Sequence, residues 1–218
     1  MLEFVLCAVV GYLLGSLSFG IIVSKFLFGK DIRDYGSNNA GMTNMLRTFG
    51  KGPGAVVFIG DFLKSVIAAV VSMYLLSGEQ NIIVCGYIGG VAAVVGHMFP
   101  LYFGFKGGKG AATALGVAMA MSPLAVPVLA VPFAVTLLSS KMVSLASMIT
   151  GICFPIVTFF IYKYSASLSS YISPVFPTAA TAVIAVLVVV MHRSNIKRII
   201  HGEERKIGKK NKKEEPEK

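Results

Sequence analysis

Charged side chains are scarce in this sequence. Asp, Glu, Lys and Arg together make up 14% of the 218 residues, whereas hydrophobic residues make up 55%. A soluble domain of this size carries about 25% charged residues. The shortage therefore argues against a soluble domain and indicates a membrane protein.

Cysteines and aspartates are also few, which bears on metal binding. Cys7, Cys85 and Cys153 all lie inside apolar stretches, a position typical of small buried hydrophobic residues rather than of disulfide partners or metal ligands. The three aspartates form no Asp-rich metal signature of the kind that phosphatidyl-alcohol transferases carry. We therefore expect no metal ion and no other cofactor.

Long apolar stretches dominate what is present. About 20 apolar residues in a helix cross a bilayer core of about 30 Å. Stretches that reach or approach this length occupy residues 4–24, 55–77, 80–105, 142–162 and 175–192. Repeated short segments of alternating hydrophobicity are absent, so the fold is predicted to be an all-helical membrane protein.

The uncharged segment 110–140 decides the number of crossings. It contains Pro123, Pro127 and Pro132, and it could form one kinked helix or two short ones. Because Lys and Arg are retained on the cytoplasmic side, two crossings place the basic loops around residues 25–51 and 106–109 on the same side as the basic C-terminus. The sequence therefore predicts seven transmembrane helices, the N-terminus outside, the C-terminus cytoplasmic, and a helix break near Ser122 and Pro123.

The chain is predicted to form one integral membrane domain, residues 1–200, followed by a tail, residues 201–218. Residues 193–218 hold ten basic and five acidic residues, half of the charge of the whole chain. The low complexity of residues 201–218 indicates a disordered cytoplasmic tail that fixes orientation and contacts anionic lipid.

Polar side chains in so apolar a chain are costly, so their clusters are candidate functional sites. The first cluster, residues 36–47, combines glycines with short hydrogen-bonding side chains and ends at Arg47, whose guanidinium suits a phosphate. An ordinary connecting loop would have the same composition.

The second cluster runs from His97 to a Gly-rich turn, residues 105–110, that opens a predicted helix. Backbone N–H groups at such a turn can face an anion, and Lys106 and Lys109 add positive charge. The spacing does not match a Walker A loop. The lysines could alternatively serve only to orient the chain in the membrane, and a lone histidine at a helix end is more often structural than catalytic.

Two smaller clusters have the spacing of one helix face. Ser144 and Ser147 lie three residues apart, as do His192 and Asn195 at the end of the last apolar stretch. Small residues that pack helices and polar residues at a membrane interface are the competing explanations. Asp61 and Lys64, also three apart, are interpreted as a local ion pair that keeps the entry of the second span soluble.

Together these clusters resemble one family. The strings GSNNAGMTNMLRTFGKGPG, GHMFPLYFGFKGGKGAAT and SLAS occur in this order and are similar to the three signature regions of the bacterial acyl-phosphate dependent glycerol-3-phosphate acyltransferases. The resemblance extends to Asn195. The family commonly has Gly, Pro and Ala where this chain has Asn38, Ala40 and Met42, so the rigidity of the first loop could differ.

The resemblance implies transfer of a fatty acyl group from acyl phosphate to the sn-1 hydroxyl of glycerol 3-phosphate, with lysophosphatidic acid and phosphate as products. It implies catalytic roles for Ser37, Arg47, Lys109, Ser147, His192 and Asn195. It implies substrate contacts by Asn39, Thr43, Asn44, His97, Lys106, Gly107, Gly108 and Ser144. The expected setting is the bacterial cytoplasmic (inner) membrane, with membrane lipid and the enzyme that makes acyl phosphate as further expected partners and no nucleic acid.

The chemistry expected of this family needs no strong protein nucleophile, because an acyl phosphate is already activated. The His and Asp pair of soluble acyltransferases is absent: Tyr102, Lys197 and Lys206 occupy the matching positions after the three histidines. The hypothesis is that catalysis rests on positioning and charge stabilisation and that a substrate phosphate oxygen accepts the hydroxyl proton. His192 acting as the base is the alternative that the sequence leaves open. A transporter or channel for a small anion is the alternative function, but it predicts ionisable residues at mid-bilayer, whereas here they gather at the ends of the spans.

Overall fold

The computed structural model describes residues 1–78, 81–170 and 172–207 and, within these ranges, contains helices and turns but no strand. The longer helices are α1 (Leu2–Gly15), α2 (Phe19–Phe28), α3 (Met42–Phe49), α4 (Lys51–Tyr74), α5 (Ile82–Met98), α6 (Ala111–Met121), α7 (Ala125–Ser140), α8 (Val143–Tyr164), α10 (Val175–Met191) and α11 (Arg193–Ile200). A single turn, α9 (Ala166–Ser169), follows α8, and two 3-10 turns occupy Ile32–Asp34 and Leu101–Phe103.

Several of these helices are long and apolar enough to cross a membrane. Among the described residues these segments are Leu2–Phe28, Lys51–Tyr74, Ile82–Phe103 and Val143–Tyr164. A fifth is added if α10 and α11, which meet at a 56° bend, count as one span. The all-helical, multi-pass architecture is thus confirmed, while the number seven stays a prediction because α6 and α7 are shorter apolar helices.

The segment between residues 110 and 140 has the predicted break. Helix α6 ends at Met121 and α7 begins at Ala125. The backbone N–H of Ser122 still donates to the carbonyl of Ala118, but Pro123 has no N–H with which to continue the helix. Two short helices therefore replace one long kinked helix.

Small residues bring α1 and α5 together. A Cβ atom on Gly11 would overlap the backbone of Gly89, and one on Gly15 would overlap the backbone of Ala93. Such small residues four apart let helix backbones approach closely in a membrane protein. This contact fixes α5, which carries His97 at its end, against the first span.

The interior and the outer surface are both apolar. A core cluster that includes Tyr87, Val117 and Phe154 is buried between α5, α6, α8 and α10, and the Tyr162 hydroxyl donates to the carbonyl of Met121 at 3.1 Å. Exposed side chains of α4 and α8, such as Ile59 and Ile156, form the outer face. An apolar exterior is the expected surface of helices in contact with lipid.

The start of the predicted tail packs on the domain. Arg205 donates to the carbonyl of Gly36 at 3.3 Å, and the N–H of Ile207 donates to the carbonyl of Lys141 at 2.8 Å. Residues 205 and 207, which the sequence analysis assigns to the tail, thus contact residues 36 and 141 of the membrane domain. Residues 208–218 lie outside the described residues, so a disordered tail stays a prediction for them.

Candidate active site

A cavity of about 470 Å³ lies between the helices and brings most of the predicted site residues together. Its inner wall is apolar and comes mainly from α6, α7 and α8. Eleven of the fourteen residues singled out by the sequence line it, namely Ser37, Asn39, Thr43, Asn44, Arg47, His97, Lys109, Ser144, Ser147, His192 and Asn195. The other three, Lys106, Gly107 and Gly108, are not among its lining residues.

Asn44 organises the first loop from within. The two hydrogens of its Nδ2 are shared among the carbonyl oxygens of Ile32, Tyr35 and Asn39, which lie 2.9–3.1 Å from the nitrogen. Its Oδ1 accepts from the N–H of Ser37 at 2.9 Å. Only 1% of its surface is exposed. Although Asn44 lines the cavity, its amide group is already hydrogen-bonded to the backbone. Its contacts position Ser37 and Asn39 and do not leave the amide available to a ligand.

The Gly-rich turn does not present free N–H groups at residues 107 and 108. The N–H of Gly107 donates to the carbonyl of Met98, and the N–H of Gly108 donates to that of His97, both at 3.1 Å. A Cβ on Gly107 would overlap the His97 carbonyl, and one on Gly108 would overlap the His97 ring. These glycines therefore allow close packing on the end of α5, in place of the anion-binding N–H groups that the sequence predicts.

The two lysines of this turn differ in position. Lys106 is exposed, whereas Lys109 lines the cavity and its Nζ donates to Oδ1 of Asn195. Burial lowers the pKa of Lys109 to about 8, and the nearby Arg198 guanidinium lowers it further while the Glu204 carboxylate opposes the shift. A half-buried cation that has no carboxylate in direct contact among the described residues is suited to a negatively charged ligand.

His192 ends α10 and is 4% exposed. Its Nδ1 lies 2.7 Å from the carbonyl oxygen of Val188. Because a carbonyl oxygen can only accept, Nδ1 carries a hydrogen, and in the neutral ring Nε2 is then the acceptor. The geometry permits His192 either to accept a proton or, when protonated, to donate to an anion.

Glu204 is a member of the site that the sequence analysis missed. Its Oε1 accepts from Ser144 Oγ and from Asn195 Nδ2, each at 2.7 Å, and its Oε2 accepts from Arg198 Nε at 2.8 Å. Burial raises the pKa of the Glu204 carboxyl, but these hydrogen bonds outweigh it and hold the pKa below its usual value. Nothing in the sequence distinguishes Glu204 from the exposed Glu203 beside it.

Asp61 and Lys64 are ion-paired as predicted, at 2.7 Å between Oδ1 and Nζ, but their predicted location was wrong. Asp61 is 1% and Lys64 4% exposed, so the pair is buried and does not keep a helix entry soluble. The reason is that α4 begins at Lys51, before the predicted start near residue 55. The pair therefore lies inside the helix, where His97 packs against it.

The site as a whole has two chemically distinct parts. Leu129, Phe133 and Phe154 belong to its apolar wall, while Arg47 and Lys109 place positive charge at its polar end. Such a cavity in a multi-pass membrane protein defines a site for an amphiphile with an anionic head group.

Comparison with known sequences agrees with a site of this kind. A sequence model of the family described as "Glycerol-3-phosphate acyltransferase" matches residues 5–202. Glycerol-3-phosphate acyltransferase 2 of Bacillus anthracis is 43% identical over 203 residues, which cover 93% of this chain and 98% of the relative. The glycerol-3-phosphate acyltransferase of Clostridioides difficile (strain 630) is 41% identical over 210 residues, 95% of this chain and 97% of that one.

Solved structures give the same result. The crystal structure of PlsY (YgiH), an integral membrane glycerol 3-phosphate acyltransferase, in its glycerol 3-phosphate form matches with a TM-score of 0.79 and 37% identity, covering 94% of this chain and 96% of that chain. Its lysophosphatidic acid form matches with a TM-score of 0.77 and 35% identity, covering 94% and 95%. The chain therefore belongs to the glycerol-3-phosphate acyltransferase family, as its motifs predict.

Proposed function

We propose that this protein transfers a fatty acyl group from acyl phosphate to the sn-1 hydroxyl of glycerol 3-phosphate, the first acylation step of phospholipid biosynthesis. The observation that carries the proposal is one cavity that joins an apolar wall to a cationic end. A family match over residues 5–202 supports the same activity. So do the two PlsY structures, which are a glycerol 3-phosphate form and a lysophosphatidic acid form.

The polar end of the cavity would hold the phosphate groups. Arg47 and Lys109 both line it and carry the charges that phosphate oxygens require. Ser37, Ser147 and Asn195 line the same end and would orient the glycerol hydroxyls and the acyl carbonyl. Lys106, which is exposed, would contribute through long-range attraction of anionic substrates rather than through contact.

The reaction needs positioning and charge stabilisation more than a protein nucleophile. The sn-1 oxygen attacks the acyl carbonyl carbon, the bond from that carbon to the phosphate oxygen breaks, and phosphate leaves with the electron pair. The hydroxyl proton passes either to a substrate phosphate oxygen or to Nε2 of His192. Both routes give lysophosphatidic acid and inorganic phosphate.

One experiment tests which compound donates the acyl group. Purified protein is incubated with glycerol 3-phosphate and with acyl phosphate, acyl-CoA or acyl carrier protein thioester in separate reactions, and lysophosphatidic acid and phosphate are measured. We expect product with acyl phosphate alone. Efficient turnover with acyl-CoA, without acyl phosphate, would contradict the proposal.

The proposed setting is the bacterial cytoplasmic membrane, with residues 1–200 as one domain. Counting α6 and α7 as short crossings brings the number of spans to seven, with the N-terminus outside and the C-terminus cytoplasmic. The distribution of Lys and Arg supports this orientation, since Lys163 alone among the basic residues then falls outside. Single cysteines introduced at Lys106 and Lys163 should be labelled by an impermeant reagent from opposite sides.

A contact with the enzyme that produces acyl phosphate would extend the proposal to a partner. Acyl phosphate is reactive toward water, so direct transfer would protect it. Co-purification of the two proteins from detergent-solubilised membranes tests this contact.

A further inference from the structure

A buried cluster of three polar side chains lies under the Gly-rich turn. Asp61 and Lys64 of α4 and His97 of α5 are each less than 5% exposed. The Nζ of Lys64 lies 2.7 Å from Oδ1 of Asp61 and 3.0 Å from Nδ1 of His97. None of the motifs in the sequence analysis accounts for charges held inside the helix bundle, where an unpaired charge would be strongly disfavoured.

Counting hydrogen-bond donors shows how the cluster is arranged. A lysine ammonium has three N–H donors and no acceptor. Lys64 has three acceptors within reach: Oδ1 of Asp61, Nδ1 of His97, and the backbone oxygen of Leu17, which is 2.7 Å away at the break between α1 and α2. Two of these contacts, to Leu17 and to His97, are hydrogen bonds, and the contact with Asp61 is an ion pair. Because an ammonium cannot accept a hydrogen bond, Nδ1 of His97 must be the acceptor in its contact with Lys64.

The tautomer of His97 follows from this count. The other contact of Nδ1, to Oδ1 of Asp61, is 3.4 Å, longer than an ordinary N–H to oxygen hydrogen bond. Since Nδ1 accepts from Lys64, the neutral imidazole carries its hydrogen on Nε2. Among the described residues no acceptor bonds Nε2, so this N–H group is available.

The ring also supports the turn that leads to Lys109. A Cβ on Gly108 would overlap Nε2 of His97, and the Gly108 N–H donates to the His97 carbonyl at 3.1 Å. His97 itself lines the cavity. The Nε2–H group is thus placed between the Gly-rich turn and the space that the proposed function assigns to substrate.

We propose that Asp61 and Lys64 are positioning residues that hold His97 in its Nε2–H tautomer, and that this N–H donates to the anionic group of the acceptor substrate. The inference rests on the proposed function for the identity of that substrate. Asp61 pairs with Lys64, Lys64 orients the imidazole, and the imidazole acts at the cavity. Neither Asp61 nor Lys64 takes part in the chemical step.

A spectroscopic test addresses the tautomer without turnover. The protein is labelled with ¹⁵N-histidine, and the His97 signals are assigned by their loss in a His97→Asn variant. We expect Nε2 protonated and Nδ1 unprotonated near neutral pH in the wild type. A His97 ring protonated at Nδ1 would overturn the inference, even if the acyltransferase activity is as proposed. Conversely, an inactive protein with the expected tautomer would contradict the proposed function alone.

A kinetic test addresses the positioning role. The double variant Asp61→Asn/Lys64→Met leaves no charge in this cluster, so it should fold better than either single variant, each of which leaves one buried charge unpaired. Loss of the Lys64 donor should raise KM for glycerol 3-phosphate about tenfold or more, as expected when a hydrogen bond to a charged ligand is weakened. The KM for acyl phosphate should stay unchanged.

Ser65→Ala is the matched control, because Ser65 is adjacent to Lys64 and fully buried, and within the described part of the chain its hydroxyl bonds to carbonyls of its own helix. It should keep both KM values. A double variant with wild-type KM for glycerol 3-phosphate would overturn the positioning role, as would an equal rise in both KM values. If the double variant does not fold, the inference is tested by the tautomer of His97 in the wild-type protein, which the spectroscopic experiment measures.

Discussion

Glu204 joins Ser144 and Asn195 through one carboxylate oxygen, which accepts from both side chains at 2.7 Å. Its second oxygen accepts from Arg198 at 2.8 Å. The start of α8 and the helix α11 are therefore held together by a residue that follows both in the sequence. A carboxylate that is 7% exposed and accepts three hydrogen bonds is expected to be important for stability.

Glu204→Gln tests this role. The amide can no longer accept at both oxygens, and Arg198 loses its charged partner, so we expect a loss of about 1–3 kcal/mol in the free energy of unfolding. Thermal unfolding in detergent measures the change. Glu203→Gln, at the exposed neighbouring position, removes the same charge and should leave the unfolding temperature unaltered. Equal effects of the two variants would mean that the contacts of Glu204 contribute nothing.

Lys109 predicts how substrate binding depends on pH. With a pKa of about 8, Lys109 loses its charge above that pH, while the glycerol 3-phosphate group, with a second pKa of about 6, stays doubly ionised. The value of kcat/KM for glycerol 3-phosphate should therefore fall above about pH 8. Lys109→Arg, which stays charged, should remove this fall from the pH profile while keeping measurable activity.

The same lowered pKa has a consequence for stability with a defined sign. Between about pH 8 and the ordinary lysine value of 10.5, the unfolded chain binds a proton at Lys109 that the folded protein does not. Stability contributed by this group therefore rises with pH across that window. Lys109→Met should remove the rise, as measured by unfolding temperature at pH 8 and pH 10.

Substitution of Lys109 tests whether this lysine contacts the substrate phosphate or only orients the chain in the membrane. Lys109→Ala should lower kcat/KM roughly a hundredfold, because one charge-assisted contact to phosphate is lost. Lys106→Ala removes the same charge from the exposed position in the same turn and should retain most activity. Near-normal turnover of Lys109→Ala would restrict Lys109 to a role in topology.

Two substitutions of His192 separate the two proton acceptors. Glutamine can form a hydrogen bond but cannot act as a base near neutral pH. If the substrate phosphate accepts the proton, His192→Gln should keep activity within about tenfold of wild type, whereas His192→Ala should lose more. Equal, near-complete loss in both variants, with glycerol 3-phosphate binding intact, would make His192 the general base.

Asn44→Ala tests the organisation of the first loop. The change removes the acceptor of the Ser37 N–H and the side-chain donor to the Asn39 carbonyl, whereas the carbonyls of Ile32 and Tyr35 keep backbone N–H partners. A buried group left unsatisfied costs about 1–3 kcal/mol. Hydrogen exchange at the Ser37 amide should become faster and activity should fall. Asn38→Gly is the control, because Asn38 is exposed and has a positive φ of 56° that glycine adopts without strain.

Local sequence patterns predicted those features that depend on near neighbours. The prolines predicted the break between α6 and α7, and the i to i+3 spacings placed Ser144 with Ser147, and His192 with Asn195, on the cavity lining. The family motifs identified eleven cavity residues. Each of these inferences uses residues a few positions apart.

Features that depend on distant packing were not predictable in this way. Glu204 reaches Ser144 across 60 positions. The N–H groups of Gly107 and Gly108 turn toward the end of α5 because a close approach to His97 is possible there. The burial of Asp61 and Lys64 became apparent only once α4, α5 and the break after α1 were assembled around them.

The contacts of Arg205 with Gly36 and of Glu204 with Ser144 join the end of the described chain to parts that are synthesised much earlier. The site can therefore be completed only after residues 204 and 205 have been made. Ser37, near the start of the chain, and Glu204, near the last described residue, line the same cavity. A nascent chain halted before residue 203 would lack part of the polar end, although every apolar helix would already have been made. Substrate binding should therefore arise late in translation, after membrane insertion of the preceding spans.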